Sequence, residues 1–288
     1  MIVQAAAADW IRAAPATAEI ERIEAFFLGH AYEPHRHDTY ALGLTLQGLQ
    51  TFRYRGVRAC SRPGNAILLH PDELHDGRAG APGGFRYRML YVEPRLIQAA
   101  GGHPAGALPF VREAISTDPR VIAILAAAFA DLDRAPDGIE TAGIAVGLAD
   151  ALAALDPSLP RRWSPPVCAA AVERARAMLH EQFDQPVPAE ALEAASGLDR
   201  YTLARQFRRR LGTSPHRYLT MRRLDAVRQA IARGASLADA AAAGGFADQS
   251  HMTRHFKRAY GLSPGRWRRL RDGAPGSARA TRGEAREG

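Results

Sequence analysis

The chain has 288 residues, 47% of them hydrophobic, which is enough for two folded domains with separate cores. No apolar run reaches the roughly 18 residues that a membrane-spanning helix needs. The first ten residues lack the basic start of a signal peptide, so we expect a cytoplasmic protein with no membrane partner. The two cysteines, Cys60 and Cys168, share no metal-ligand spacing and are expected to be reduced thiols.

The net charge of +8 is distributed unevenly along the chain. Residues 1–160 contain 14 arginines against 18 acidic residues, a net charge of −4. Residues 161–271 contain 21 basic against 9 acidic residues, a net charge of +12. An acidic half followed by a strongly basic half indicates that only the second half binds a polyanion such as DNA.

The first hundred or so residues have the pattern of short β-strands separated by turns. Residues 41–48 and 50–55 alternate apolar and polar side chains over much of their length. The apolar run 66–69 and residues 85–92 are further strand candidates. Several short strands at this spacing predict an antiparallel β-sandwich or barrel.

The segment 110–155 changes to helical periodicity. Asp118-Pro119 is typical of a helix start and is followed by apolar residues at helical spacing, and residues 139–155 repeat the pattern. The apolar faces of these two helices could cover the β-domain or pair with a second subunit, and the sequence leaves both open. A proline-rich joint at 156–166 precedes an almost entirely helical region.

This helical region repeats itself at an offset of 49 residues. Residues 207–218 return as residues 256–267, with an aromatic residue, a glycine five positions later and a Ser-Pro pair after it. Matching residue types at this many positions indicate an internal duplication. Between the two copies, residues 215–231 are expected to form one long helix.

Each copy has the pattern of a helix-turn-helix unit, two helices joined by a short glycine-containing turn. In the first copy a short helix at 192–195 ends in a Ser-Gly turn, after which Asp199 caps a second helix that Gly212 ends. In the second copy residues 237–243 are followed by a Gly-Gly turn and by Asp248, which caps the next helix.

The second helix of each unit is expected to contact DNA, because a capped helix that begins beside DNA directs its N-terminal side chains into the major groove. Arg can pair there with guanine and Gln with adenine. The predicted base-contacting residues, called here the base-reading set, are Arg200, Tyr201, Ala204, Arg205, Gln249, Ser250, Thr253 and Arg254. The predicted phosphate-contacting residues are Arg208, Arg209, Arg210, Lys257 and Arg258. The opposite face, expected in the core, carries Leu203, Phe207, Met252 and Phe256.

The second copy resembles the signature of the AraC/XylS family of bacterial transcription regulators. The resemblance is carried by Ser236-Leu237, Gly245-Phe246, Asp248, Ser250, Arg254, Phe256-Lys257, Gly261 and Ser263-Pro264. It implies a monomeric DNA-binding domain whose two helix-turn-helix units enter successive major grooves on one face of the DNA. Ala240, His251 and Met252 depart from the family pattern, which would loosen the packing of the second unit without changing its function.

Residues 34–38, Pro-His-Arg-His-Asp, and the run 71–75 resemble the small cupin-like β-barrel of the same family, whose mouth such residues line. On a strand, His35 and His37 would point to one face, and His75 could converge on them. The expected effector-binding residues are His35, His37, Tyr40, Arg53 and His75.

Three histidines could also bind zinc or iron. The glutamate that cupin enzymes place a few residues after the paired histidines is absent, since residues 39–42 are Thr-Tyr-Ala-Leu. We therefore rank effector binding first, structural or surface histidines second and a bound metal third, and we predict no cofactor. His70 follows an apolar run and precedes a proline, so it is expected to be structural.

These features predict a multidomain α+β protein. Its expected parts are a cupin-like antiparallel β-barrel with flanking helices over 1–105, a helical linker or dimerisation segment over 106–160, an all-α DNA-binding domain over 167–271 and a disordered tail over 272–288. We expect a transcription regulator, not an enzyme, that binds promoter DNA as a homodimer under control of a small-molecule effector. If it activates, RNA polymerase is a further expected partner.

Two rival interpretations belong to other classes of protein. One is a metal-dependent cupin enzyme with an appended DNA-binding domain, which bound iron would favour. The other is a chromatin-like binder without sequence preference, against which the duplicated base-reading set argues.

Overall fold

The computed structural model describes residues 8–102, 107–159 and 166–273. Its strands are β1 (Trp10–Ala13), β2 (Ile20–Phe27), β3 (His30–His35), β4 (Tyr40–Gly48), β5 (Gln50–Tyr54), β6 (Val57–Ser61), β7 (Ala66–Leu69), β8 (His75–Ala79), β9 (Phe85–Val92) and β10 (Ile115–Ser116). Its helices are α1 (Pro94–Gly101), α2 (Pro119–Ala128), α3 (Gly138–Ala153), α4 (Ala169–Glu181), α5 (Ala189–Ser196), α6 (Arg200–Leu211), α7 (Pro215–Ala232), α8 (Leu237–Ala243), α9 (Gln249–Tyr260) and α10 (Pro264–Asp272). None of these helices is long and apolar enough to cross a membrane.

The strands form two antiparallel sheets that share a core, as the predicted β-barrel requires. One sheet has the order β1-β2-β9-β4-β7-β10 and the other the order β3-β8-β5-β6. The shared core is formed by Ile23, Ala25, Phe27, Ala41, Phe52, Tyr54, Ile67, Leu69, Phe85, Tyr87 and Met89. The four strands predicted from alternation and apolar runs are confirmed as β4, β5, β7 and β9.

The outer face of the six-stranded sheet is covered by helices α1, α2 and α3. Leu42 and Leu90 of the sheet share one buried cluster with Leu125 of α2 and Leu148 of α3. The apolar residues of these two predicted helices therefore cover the β-domain, which settles the alternative that the sequence left open. Helix α1 lies in a stretch that was predicted as strands and turns, and Pro94 begins it.

The predicted helix ends are confirmed by their capping contacts. The side chains of Asp118, Asp199 and Asp248 each accept a hydrogen bond from a backbone N–H in the first turn of α2, α6 and α9. The backbone φ angles of Gly212 and Gly261, 70° and 72°, are left-handed, which glycine adopts at little cost. The long helix predicted between the two copies is α7.

The packing of the second helix-turn-helix unit is not loosened by its departures from the family pattern. Ala240 and Met252 are both completely buried, in one cluster with Phe246 and Phe256. The turn requires Gly244, because a Cβ there would lie 2.6 Å from a methyl group of Val227.

The described chain forms two compact units. The first comprises residues up to 176 and 188–216, and thus contains the β-barrel, α1 to α3 and the first helix-turn-helix unit. The second comprises residues 177–187 and those from 217 onward, with α8, α9 and α10. The domain boundaries given above stay a prediction. The disordered tail was predicted to begin at residue 272, but Asp272 is the last residue of α10, and the rest of the tail from 274 onward lies outside the described residues.

Candidate DNA interface and effector site

The first candidate DNA-contacting element is α6, whose orientation follows from its two ends and its buried side. Asp199 accepts hydrogen bonds from two backbone N–H groups of the first turn, at 3.0 and 3.1 Å, and Gly212 ends the helix. Leu203 and Phe207 are buried, as predicted. Of the base-reading set of α6, Tyr201 and Arg205 lie one turn apart on another side of the helix, whereas Arg200 and Ala204 are each three residues from one of these buried side chains and lie at the boundary between the two sides.

Arg200, the first member of that set, is bound by two carboxylates of α5. Its Nη2 lies 2.8 Å from Oε1 of Glu190, and its Nε donates to Oε1 of Glu193 at 3.0 Å. The hydrogen bond to Glu193 outweighs partial desolvation and raises the pKa of Arg200. In the DNA-free chain, its own helix-turn-helix unit therefore orients this guanidinium.

The other three members of the set on α6 face the helices of the β-domain within the same compact unit. Ala204 is only 2% exposed and belongs to the cluster that α1 to α3 form with the sheet. Tyr201 packs against this cluster. The guanidinium of Arg205 donates a hydrogen bond to the carbonyl oxygen of Ala100 in α1.

The second candidate element is α9, in the other compact unit. Asp248 caps it through the N–H of His251, at 2.7 Å, and Met252 and Phe256 are buried as predicted. Of its base-reading set, Gln249 and Ser250 are exposed, whereas Thr253 and Arg254 are partly buried. The exposed members of the predicted phosphate-contacting residues are Arg209, Arg210, Lys257 and Arg258.

The three histidines singled out by the sequence lie together in the β-domain, and we call them the histidine cluster. The ring centroid of His75 lies 4.4 Å from that of His35 and 4.8 Å from that of His37. His35 and His75 are partners across β3 and β8. The expectation that one strand carries both His35 and His37 is wrong, because β3 ends at His35 and the following residues are irregular.

Each imidazole of the histidine cluster is oriented by a nearby backbone carbonyl. The Nδ1 atoms of His35, His37 and His75 each lie 2.9 Å from the carbonyl oxygen of a residue two positions away in the chain. Because a carbonyl only accepts hydrogen bonds, each Nδ1 carries a proton, and a neutral ring then leaves Nε2 as an acceptor. Among the described residues, the buried Nε2 of His37 has no hydrogen-bond partner.

Burial keeps His37 and His75 uncharged at neutral pH. Burial lowers the pKa of His75 to about 4, against the opposing effect of its hydrogen bond to Glu73, and the nearby rings of His35 and His37 lower it as well. Burial also lowers the pKa of His37. His37 and His75 therefore present nitrogen lone pairs and no positive charge, which suits a hydrogen-bond donor or a metal ion.

Two tyrosines beside the histidines were not among the predicted effector residues. The ring of Tyr91 lies 5.5 Å from that of His37, and the ring of Tyr32 lies 5.6 Å from that of His35. The hydroxyl groups of Tyr32 and Tyr87 are hydrogen-bonded to each other. The period-2 pattern of residues 85–92 could have identified Tyr91, since it shares the inward parity of Tyr87.

The structure separates two predicted effector residues from the histidine cluster. Tyr40 is buried on the helix-covered face of the sheet, where its hydroxyl donates to the carbonyl oxygen of Pro109 at 3.0 Å and its ring contacts His70. The side chain of Arg53 is exposed, while its backbone N–H donates to Asp76 at 2.6 Å. His70 is structural as predicted, because its Nε2 accepts the N–H of Val111 at 3.1 Å.

The three imidazoles have the chemistry of metal ligands, but their ring nitrogens do not all lie within 4.8 Å of one another. An Nδ1–H bonded to a carbonyl, with Nε2 left for the metal, is the usual arrangement of a ligating histidine. Three neutral imidazoles suit zinc or iron(II). The stretch 39–42 provides no carboxylate, so the set lacks the fourth ligand on which cupin enzymes rely.

Replacing His75 with glutamine should flatten the acid side of the stability profile. Between the ordinary pKa of 6.5 and the folded pKa of about 4, the unfolded chain binds a proton on His75 that the folded chain does not. The free energy of unfolding therefore falls as the pH drops through this window, by up to about 1.4 kcal/mol per pH unit. Below the folded pKa the contribution is constant.

Urea unfolding of both proteins at several pH values checks this prediction. Glutamine retains an amide donor for the Glu73 carbonyl, so the comparison isolates titration from the loss of that hydrogen bond. Equal slopes for the two proteins between these pH limits would show that His75 is protonated alike in the folded and unfolded chains.

Models of known protein families match both halves of the chain. A family model described as the AraC-like ligand binding domain matches residues 17–149, and a model described as a helix-turn-helix domain matches residues 192–270. The uncharacterized HTH-type transcriptional regulator YbfI of Bacillus subtilis (strain 168) is 25% identical over 225 residues. That match covers 76% of this chain and 80% of YbfI.

Solved structures show more distant similarity. The apo form of a ToxT variant from Vibrio cholerae strain SCE256 aligns over 89% of this chain and 99% of its own, with 10% identity and a TM-score of 0.39. A probable AraC family transcriptional regulator from Rhodopseudomonas palustris CGA009 aligns over 35% of this chain and 95% of its own, with 23% identity and a TM-score of 0.32. With a ligand-binding model over its β-domain and a helix-turn-helix model over its C-terminal helices, the chain belongs to the AraC-type family of DNA-binding transcription regulators.

Proposed function

We propose that this chain is a sequence-specific transcription regulator whose binding to promoter DNA is controlled by a small molecule at the histidine cluster. The observation that carries the proposal is the combination, in one chain, of two capped recognition helices with three imidazoles that backbone carbonyls orient. The protein would act on DNA in the cytoplasm and catalyse no reaction.

The chemical class of the effector follows from the protonation of the cluster. The Nε2 atoms of His37 and His75 are acceptors, so the ligand groups that satisfy them are hydroxyl or amino donors. The rings of Tyr32 and Tyr91 offer apolar surface beside these acceptors. We therefore expect a small molecule that carries several hydroxyl or amino groups on a compact skeleton.

Replacing His37 with alanine should weaken effector binding about 10-fold, the usual consequence of leaving one ligand donor unpaired. The DNA affinity of the effector-free full chain should not change. A panel of polyols, amines and amino acids is screened for molecules that shift the affinity of the full chain for its DNA, and each active molecule is then titrated against the variant.

The matched control is Arg53→Ala, since that side chain is exposed and contacts none of the three histidines. An active molecule that binds His37→Ala as tightly as the parent chain would refute the assignment of this site.

The alternative of a metal-dependent enzyme is tested on the same preparation, because that enzyme requires stoichiometric iron or zinc that is lost in His35→Ala.

We also propose that the chain forms a homodimer through residues 106–160 and that it contacts RNA polymerase. Helix α3 is buried along nearly its whole length, so a dimer would have to use the exposed positions of α2 and of the loops of this segment. Sedimentation equilibrium of the full chain tests the dimer, and transcription from a selected promoter by purified polymerase separates activation from repression. A monomer at all concentrations would remove this part of the proposal.

A further inference from the structure

The side of α6 that is expected to enter the major groove is covered by the β-domain of the same compact unit. Tyr201 and Ala204 pack against the cluster of α1 to α3, and Arg205 donates to the carbonyl oxygen of Ala100. Arg208, one turn further along, donates from Nη2 to the carbonyl oxygen of Gly143 in α3 at 3.3 Å. All four contacts involve residues predicted to contact DNA.

The contact extends along one side of α3. The Nη1 atom of Arg208 lies 3.9 Å from the carboxylate of Asp150, and Nε2 of His216 lies 3.7 Å from that of Glu140. Gly143 lies beside Ser214, so the two backbones approach closely where α3 has no side chain. The side of α3 between residues 140 and 150 thus combines acidic groups, an accepting carbonyl oxygen and small residues, and it complements a basic helix.

This contact and a groove contact exclude each other. The major groove of B-DNA is about 12 Å wide and accommodates a single α-helix with its side chains. A helix whose groove-facing side already carries another helix cannot enter it. Ala204 is an example, because its side chain is only 2% exposed and has no surface left to contact a base.

The second copy of the repeat provides an internal comparison. Gln249 and Ser250 of α9 correspond in register to Arg200 and Tyr201 of α6, and both are exposed. The counterparts of Ala204 and Arg205 are Thr253 and Arg254, which are partly buried, so among the described residues near-complete burial of a base-reading side chain is found only in the first unit.

We infer that α1 and α3 form a docking surface for α6, so that the DNA-free chain holds its first recognition helix in a state that cannot bind DNA. The inference rests on the proposed DNA contact by α6. Any ligand that strengthens docking lowers the DNA affinity by the same factor, because the two equilibria are linked. The occupant of this surface is a segment of the same chain, so no partner protein is required.

A reversible cross-link tests the inference on the full chain. A Cβ at position 143 would lie 3.7 Å from Cβ of Ser214, close to the separation of about 3.8 Å found in disulfides. The variant carries Gly143→Cys and Ser214→Cys, with the exposed Cys60 and Cys168 replaced by serine. The same background with Gly143→Cys alone is the control. The probe is a DNA duplex that the parent chain selects from a random library under reducing conditions.

The oxidised double-cysteine variant should bind the selected duplex about 100-fold more weakly than the same sample after reduction, because the base contacts of one unit are lost. The single-cysteine control should bind equally well in both states. Equal affinity of the oxidised and reduced double variant would overturn the inference. So would failure of the two cysteines to cross-link without DNA, since docking holds them in contact.

A second substitution is designed to disrupt docking and so to raise the DNA affinity, a result that misfolding would not produce. Gly143→Ala fits the 3.7 Å gap and should leave the DNA affinity unchanged, whereas Gly143→Leu extends into the helix-turn-helix unit and should raise it about 10-fold. Arg205→Ala distinguishes failure of the docking inference from failure of the proposed DNA contact by α6. If this variant selects the same DNA sequences as the parent chain, Arg205 contacts no base, and the proposed DNA contact by α6 loses this support independently of docking.

Discussion

Replacing Arg22 with methionine is expected to lower the free energy of unfolding by about 3–5 kcal/mol, the range for breaking a buried charged network. Arg22 lies in β2 and is 1% exposed. Its guanidinium donates to the carbonyl oxygens of Ala128 and Asp131, at 3.0 and 2.8 Å, and to that of Arg134. These acceptors belong to the last residue of α2 and to the segment between α2 and α3, so the substitution leaves several buried carbonyl oxygens without a donor.

Denaturant unfolding of the parent chain and the variant measures this effect. Arg12→Met is the matched control, because Arg12 makes an exposed ion pair with Asp133, and such pairs contribute less than about 1 kcal/mol. If the free energy of unfolding falls as little in Arg22→Met as in Arg12→Met, the guanidinium of Arg22 is not needed to hold the helices against the sheet.

Replacing Arg254 with alanine is expected to relax the base preference at one position of the DNA site by about 1–3 kcal/mol. Arg254 lies in the second turn of α9, within the predicted base-reading set. Arg258 follows one turn later and is predicted to contact phosphate. Its replacement should weaken binding to all sequences alike and reduce the salt dependence by about one phosphate contact.

Binding of both variants to a library of single-base substitutions, at two salt concentrations, distinguishes these outcomes. Arg258→Ala is the matched control, since it removes the same charge from the same helix. Losses that are equal in size and independent of sequence for the two variants would contradict the division between base contact and phosphate contact.

Docking of α6 also affects how variants of the first unit are interpreted. Arg205 is predicted to contact a base, and in the DNA-free chain it binds the Ala100 carbonyl. Its replacement removes a contact from both states, so the net change in DNA affinity is smaller than the loss of the base contact. Substitutions in α9 are therefore the clearer test of base contact in this chain.

Some strands were predictable because their burial alternates or because they are continuously apolar. Residues 85–92 alternate and form β9, whereas β2 is buried along nearly its whole length and contains both Arg22 and Glu24. Glu24 is buried against Arg86 and Arg88, a partnership that spans more than 60 residues of sequence. Charged residues in a stretch of sequence indicate exposure unless their partners are known, so β2 could not be identified locally.

The candidate effector site could be predicted only in part from the sequence. The short spacing of His35 and His37 identified the histidine cluster, and strand pairing then placed His75 beside them. Tyr40 and Arg53 were assigned to the same site because their polar side chains could complete a pocket with the histidines. The direction in which each points depends on the face of the sheet that its side chain occupies, which adjacency along the chain does not determine.

The helix-turn-helix duplication and its capping residues were determined by the sequence alone. Caps and turns depend on residues within one or two helical turns, so Asp199, Gly212, Asp248 and Gly261 define their helices without reference to the rest of the chain. The covering of α6 by α1 and α3 was decided only by the tertiary structure. It depends on several weak contacts between residues 65 to 105 positions apart, such as Arg208 with Gly143 and Arg205 with Ala100, and no local pattern encodes their sum.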